Sequence, residues 1–254
     1  MKELQLLIST ILIINASLAA QDKLVDSIFN VANAAYSTQD YYGAIEEYEK
    51  IIDLGFESAE VFYNVGNSYF KLKEYPKAVL NFERAELLNP RDPDIKFNLE
   101  KSYAYTIDKI EVIPEFFLIT WMRKIISSST SNIWAIIAIL AFVLVLVLFL
   151  VYFINPSRRV KVLSFTLGGF MMFISIISLI FAFNTKRYIE NSDRAIIMES
   201  TVTVKGAPDI NAVNVFIVHE GTKVILVRSI GEWHEVQLSD GKQGWLQESD
   251  IEKI

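Results

Sequence analysis

Few residues in this sequence have catalytic or metal-binding potential. Its two histidines each precede a glutamate, in His219-Glu220 and His234-Glu235, but no third ligand follows at a spacing typical of zinc. The chain has no cysteine, which excludes disulfides, thiolate metal sites and thiol catalysis. It shows no nucleophile elbow and no glycine-rich phosphate loop, and the acidic pair Glu46-Glu47 lies on the polar side of a predicted helix. We therefore expect no enzymatic activity, cofactor or metal.

A row of amide and aromatic side chains indicates recognition instead. These residues recur at helical spacing on three predicted helices: Asn33, Tyr36, Tyr63, Asn64, Asn67, Phe70, Asn98 and Lys101. An asparagine amide both donates to and accepts from a peptide backbone, and a lysine suits a carboxylate. The row predicts a groove that binds a partner peptide or protein. The alternative is that the asparagines only solvate an exposed face.

The helices that must position this row belong to a repeat. Residues 59–90 match the offsets of a helix–turn–helix pattern with a period of about 34 residues, through Phe62, Val65-Gly66, Tyr69, Ala78, Phe82, Ala85 and Pro90. The segment resembles a tetratricopeptide repeat (TPR). A degenerate copy precedes it, and a third copy that begins at Asp94 indicates a capping helix. The sequence predicts a TPR module of about two and a half repeats over residues 22–110, with the groove on the first helix of each repeat.

Apolar blocks indicate that part of the chain lies in a membrane, since 52% of its residues are hydrophobic. Residues 1–19 are typical of a signal peptide that is cleaved after Ala19; the alternative is an uncleaved anchor. Residues 133–154 and 162–183 carry no charge, and each is long enough for a hydrocarbon core of about 30 Å. They predict a transmembrane hairpin without the ionisable residues expected of a transport pathway.

The connection between the two spans predicts the topology. Residues 155–161 contain Pro156 and three cations; proline ends the helix, and positive charges mark a cytoplasmic turn. A cleaved signal peptide agrees with this orientation. We expect a two-pass protein of the bacterial inner (cytoplasmic) membrane with its soluble parts in the periplasm. Residues 111–132 combine aromatic residues with cations and a serine-rich stretch, which predicts an interfacial helix and a linker.

The last part of the chain, residues 195–254, changes to short β-rich runs separated by turns. Its glycine-containing series, Gly221-Thr222-Lys223, Gly231-Glu232-Trp233 and Gly244-Trp245, resembles bacterial SH3-like domains, which implies a small all-β barrel. Such domains often bind peptides or cell-wall glycopeptides through surface aromatics. Trp233 and Trp245 are therefore a possible ligand site. The alternative places at least one of them in the barrel core.

Together these parts predict a multidomain membrane protein: an all-α TPR solenoid, a transmembrane helical hairpin and a small all-β SH3-like barrel. Their order, with the run from Asn89 to Glu100 that leads to Asp108-Lys109-Ile110-Glu111, resembles the BatE-type aerotolerance family over essentially the whole chain. The resemblance implies von Willebrand A-domain membrane proteins as partners and, indirectly, a MoxR-type ATPase system.

The expected function is a membrane-anchored periplasmic adaptor or scaffold in a bacterial envelope stress or aerotolerance complex, whose TPR groove binds protein partners. The alternative is a cell-wall sensor that binds peptidoglycan or peptide through the SH3-like domain. A net charge of −6 without a basic stripe argues against nucleic acid as a partner.

Overall fold

The computed structural model describes residues 21–110, 129–190 and 193–254, together with the single positions Phe117, Trp121 and Ile125. The predicted signal peptide and most of the predicted interfacial segment lie outside the described residues. The chain divides into two compact units. One contains the helices before residue 112 and the strands after residue 192, and the other contains two long apolar helices.

Five helices lie in residues 21–110, the described N-terminal part of the first unit. They cover residues 21–37 (α1), Tyr41–Asp53 (α2), Ala59–Lys71 (α3), Tyr75–Leu88 (α4) and Pro93–Tyr103 (α5). The side chains of Asp40, Ser58 and Asp92 cap α2, α3 and α5, because each accepts a hydrogen bond from a backbone N–H of the first turn. The predicted helical repeat is confirmed, with α1–α2 and α3–α4 as helix pairs.

Small residues allow the paired helices to approach closely. Ala32 and Ala44 are fully buried in one cluster with Tyr48 and Ile51. In the second pair, a Cβ on Gly66 would lie only 2.9 Å from the ring of Phe82. A larger residue at position 66 would therefore displace that ring from the core of the repeat.

The C-terminal part of the first unit is a seven-stranded antiparallel sheet in the order β3-β2-β6-β5-β4-β1-β7. The strands are Arg194–Ile197 (β1), Thr201–Lys205 (β2), Asn214–His219 (β3), Lys223–Ile230 (β4), Trp233–Gln237 (β5), Gln243–Gln247 (β6) and Ile251–Lys253 (β7). Alternating residues such as Val202, Val204 and Val236 form its core. The sheet was predicted except for β7, whereas barrel closure is not observed among residues 193–254.

Strand β1 is buried on both faces, which joins the sheet to the repeat helices. Ile197 packs into the core of the sheet. The neighbouring Ile196 is fully buried and belongs to a cluster with residues of α4 and α5, namely Ala78, Val79, Leu80, Phe82 and Leu99. A solenoid must cover the apolar face of its last helices. Here the sheet contributes to that cover.

Charged residues reinforce the contact between the repeat helices and the sheet. The side chain of Glu83 on α4 is only 3% exposed and lies 2.5 Å from the Lys223 ammonium on β4. The Tyr103 hydroxyl donates to its other carboxylate oxygen at 2.6 Å. Arg84 donates to the Glu252 carboxylate at 3.1 Å and to the Lys253 carbonyl at 2.7 Å. A buried carboxylate needs such partners, because desolvation is costly when the charge is unpaired.

Asp108 forms a third polar contact, just after α5. Its carboxylate accepts hydrogen bonds from the His219 backbone N–H at 2.7 Å and the Thr222 hydroxyl at 2.8 Å, and lies 2.9 Å from His219 Nδ1. Burial alone would raise the pKa of Asp108, but the hydrogen bonds from His219 and Thr222 outweigh burial and lower that pKa. The ionised form of Asp108 therefore stabilises the contact.

Replacing Asp108 by alanine should make the free energy of unfolding less sensitive to pH in the acid range. The depressed pKa means that the contribution of Asp108 is complete above about pH 4, its ordinary range, and is lost as pH falls through the lower folded value. We expect Asp108→Ala to lower the free energy of unfolding by about 1–3 kcal/mol at neutral pH, with a difference that shrinks in acid. Urea unfolding at a series of pH values measures this. The control is Asp26→Ala on an exposed position of α1, and a pH-independent difference would contradict the assignment.

The second unit contains helices Ser131–Ile154 (α6) and Arg158–Glu190 (α7), both long and apolar enough to cross a membrane. They pack as an antiparallel hairpin: the Ser131 hydroxyl donates to the Ala182 carbonyl, and the Ser175 hydroxyl donates to the Ala138 carbonyl, both at 2.9 Å. Only 11% and 17% of their most apolar stretches are buried, unlike core helices of a soluble protein. Their outward faces are therefore suited to lipid.

Candidate partner-binding groove

The predicted groove residues lie on α1, α3 and α5, the first helix of each repeat copy. On α3, Val61, Phe62, Val65 and Gly66 are buried, because they face the paired helix. The alternate face carries Tyr63, Asn64, Asn67 and Phe70, all partly exposed. The amphipathic spacing that builds the repeat thus leaves the polar and aromatic row at the surface.

The first part of the groove surrounds a buried hydroxyl. Tyr48 on α2 is 1% exposed, and its hydroxyl donates to Asn33 Oδ1 at 2.5 Å. Burial and the neighbouring Tyr36 raise the pKa of Tyr48 to about 12, although a hydrogen bond with Asn64 acts in the opposite direction. Asn33 and Asn64 therefore hold α1, α2 and α3 together, besides facing the groove.

The central part of the groove is a bridge between α3 and α5. The Asn98 amide nitrogen donates to the Tyr63 hydroxyl and to Asn67 Oδ1, both at 2.9 Å. Within the described part of the chain, the side-chain amide nitrogen of Asn67 and the side-chain oxygen (Oδ1) of Asn98 make no hydrogen bond. One donor and one acceptor thus remain for a ligand, which is the pair that a peptide backbone requires.

An aromatic cluster closes the far end of the groove. The Lys101 ammonium lies 4.9 Å from the centroid of the Phe70 ring, and Phe70 contacts both Tyr75 and Tyr105 edge to face. Tyr75 and Tyr105 stack at 4.4 Å, and Tyr105 is 54% exposed. Sequence analysis missed both tyrosines, because Tyr75 begins a second helix and Tyr105 follows the end of α5. Lys101 is the charged member of the predicted row.

The two tryptophans lie on neighbouring strands of the sheet. Trp233 pairs with Gln247 and Trp245 pairs with Glu235, so both point to the same outer face at diagonal positions. Trp245 is only 4% exposed, and the Arg228 guanidinium covers its ring at 5.1 Å. Trp233 is partly exposed. Of the two rings, only that of Trp233 offers open surface.

The histidines occupy separate positions and have no shared ligand set. His219 binds Asp108, whereas His234 is buried with its Nδ1 2.7 Å from the Ser229 hydroxyl. Among the described residues, no group of three histidine or acidic side chains is placed to hold a metal ion.

Comparison with known proteins identifies a repeat family in the segment that includes α3, the central helix of the groove. The family model of the tetratricopeptide repeat matches residues 59–92. This segment contains α3 and α4 and agrees with the repeat identified from its residue offsets. No curated protein matches the chain. TPR repeats are protein-binding modules, so the match indicates a role in protein–protein interaction.

Proposed function

We propose that this chain is a membrane-anchored periplasmic adaptor that holds partner proteins in its TPR groove, without catalysis of its own. The observation that carries the proposal is the Asn67–Asn98 bridge, which joins the matched repeat to the helix that follows it. It fixes two amides in place and leaves one donor and one acceptor open. Amides held in this way need no reordering when a peptide binds, which lowers the entropic cost of association.

The contact between the repeat helices and the sheet supports the proposed topology. The repeat precedes the hairpin in sequence and the sheet follows it, yet Ile196 and Lys223 of the sheet pack against α4. If α6 and α7 both span a membrane, the segments that flank them must emerge on the same side. A hairpin of either orientation meets this requirement, and the three cations of its turn favour the cytoplasm for the turn and thus the periplasm for the groove.

The more specific assignment remains a proposal based on the sequence resemblance. We propose that the chain acts as a BatE-type protein in an envelope stress or aerotolerance complex, with von Willebrand A-domain membrane proteins as direct partners and a MoxR-type ATPase system as an indirect one. The predicted SH3-like character of the sheet belongs to the same proposal.

A second candidate function uses the sheet as a cell-wall sensor. The partly exposed Trp233, at the diagonal position to Trp245, favours it, because an aromatic ring can pack against a sugar or peptide. In this case Trp233→Ala would abolish binding to isolated peptidoglycan, whereas changes in the groove would have no effect on captured proteins.

Crosslinking capture from membranes tests the adaptor function. The full chain is compared with the Asn64→Ala, Asn67→Ala double variant, and captured proteins are identified by mass spectrometry. The variant removes the open donor of Asn67 and the neighbouring groove amide of Asn64, so capture of the partner should fall by about tenfold or more. Loss of von Willebrand A-type proteins in particular would support the specific complex.

Two control variants separate recognition from loosening of the repeat. Tyr48→Phe removes the hydroxyl that holds Asn33 but keeps both groove amides, so it should reduce capture less than the double variant does. Asn89→Ala removes an exposed amide beyond α4 and should capture partners as well as the unmodified chain. Unchanged capture by the Asn64→Ala, Asn67→Ala variant would overturn the groove as the binding site.

A further inference from the structure

The start of α7 contains a basic groove that the adaptor function does not use. An open groove of about 670 Å³ is lined by Arg158, Arg159, Val162, Leu163 and Thr166. It lies directly after the turn between α6 and α7, at one end of the apolar hairpin.

The positive charge of this groove is not neutralised within the hairpin. No aspartate or glutamate occurs between Glu115 and Glu190, and neither Arg158 nor Arg159 makes an ion pair with any residue that the structure describes. The third cation, Lys161, has its ammonium 5.8 Å from the centroid of the Tyr152 ring. Because unpaired N–H groups at a helix start add further positive potential, the first turn of α7 attracts an anion.

An apolar wall continues from the two arginines. Val162 and Leu163 are each 57% exposed. The Thr166 hydroxyl is bonded to the carbonyls of Val162 and Leu163 at 3.0 Å, so it contributes little polarity to the wall. A free anion would use only the arginines, whereas a molecule with an anionic head and a hydrocarbon tail would also cover the wall.

We propose that this groove binds an anionic phospholipid, with the phosphate at Arg158 and Arg159 and an acyl chain along Val162 and Leu163. A guanidinium group can donate two parallel hydrogen bonds to the oxygens of one phosphate. Two adjacent arginines are therefore suitable for the head group. This inference rests on the proposed anchoring of the hairpin in a membrane. The site would give the turn a preference for a leaflet rich in acidic lipid.

Native mass spectrometry of the full chain in neutral detergent tests the site with two probes, phosphatidylglycerol and phosphatidylcholine. The unmodified chain should retain phosphatidylglycerol preferentially, and Arg158→Gln with Arg159→Gln should reduce that preference by about thirtyfold, from roughly fivefold for each basic residue near an anionic head group. Leu163→Asn should weaken retention while leaving the charge unchanged.

The matched control removes the same charge from the other end of α7, in Lys186→Gln with Arg187→Gln. If this variant lost its preference for phosphatidylglycerol to the same extent, the site would be overturned, because the effect would then come from net charge. Retention of inorganic phosphate as strong as that of phosphatidylglycerol would also overturn the site. Recovery of the chain in the soluble fraction would contradict the membrane anchor itself, whereas a membrane-embedded chain with equal retention of both lipids would contradict only the lipid site.

Discussion

Replacing Ile196 by alanine is expected to lower the free energy of unfolding of the first unit by about 2–5 kcal/mol. Ile196 is fully buried, and its side chain packs against α4 and α5, so truncation leaves a cavity between the repeat helices and the sheet. Because the cavity lies between the two parts, both should lose stability together. The change therefore tests whether repeat and sheet unfold as one cooperative unit.

Two spectroscopic probes measure this result in the full chain in detergent. Helicity reports on the repeat, and tryptophan fluorescence reports on Trp233 and Trp245 once Trp121 and Trp134 are replaced by phenylalanine. The matched control is Ile225→Ala, which makes the same change at a site that is 44% exposed and should cost less than about 1 kcal/mol. If Ile196→Ala shifted the unfolding transition seen by fluorescence but left the transition seen by helicity unchanged, the cooperative unit would be contradicted.

Removing the Glu83 carboxylate should destabilise the same contact by about 3 kcal/mol, the lower end of the range for a broken buried ion pair. Glu83→Ala leaves the Lys223 ammonium and the Tyr103 hydroxyl without their acceptor. Lys223 is 28% exposed, so water compensates for part of the loss. Chemical unfolding of Glu83→Leu, of Lys223→Met and of the double variant that combines them measures the coupling between the two side chains.

Glu86 provides the matched control for this cycle, one turn further along α4. Burial and the neighbouring Glu83 carboxylate raise the pKa of Glu86, so its charged form is disfavoured in the fold. Glu86→Ala should therefore cost far less than Glu83→Ala at neutral pH. The double variant at Glu83 and Lys223 should recover much of the stability that either single change loses. Strictly additive effects would show that the pair does not link the repeat to the sheet.

The helices and most strands could be predicted from the sequence because their signals are local. Helical spacing, small residues such as Gly66 and the caps at Ser58 and Asp92 each act within one or two turns. The contact between repeat and sheet could not be predicted in this way, because it joins residues far apart in the chain. One signal was present: Ala195-Ile196-Ile197 is a continuous apolar run, which is typical of a strand covered on both faces.

The groove was predicted as a set of residues, whereas its internal hydrogen bonds required the structure. Spacing places Asn67 and Asn98 on equivalent faces of α3 and α5, but only the structure shows that the second donates to the first. Tyr75 and Tyr105 escaped prediction because stacking across the ends of two helices has no periodic signature. The burial of Trp245 beneath Arg228 likewise depends on a cross-strand neighbour.

The pairing of Glu83 with Lys223 also sets the order in which the molecule can mature. These residues are separated by 140 positions, and at about 5–20 residues per second the ribosome needs roughly seven to thirty seconds to make the second after the first. Throughout that interval the acidic face of α4 has no cation from the sheet, and its apolar neighbours lack Ile196. Native contacts of such long range slow folding. The repeat is therefore without this part of its cover until the segment beyond the hairpin has been made.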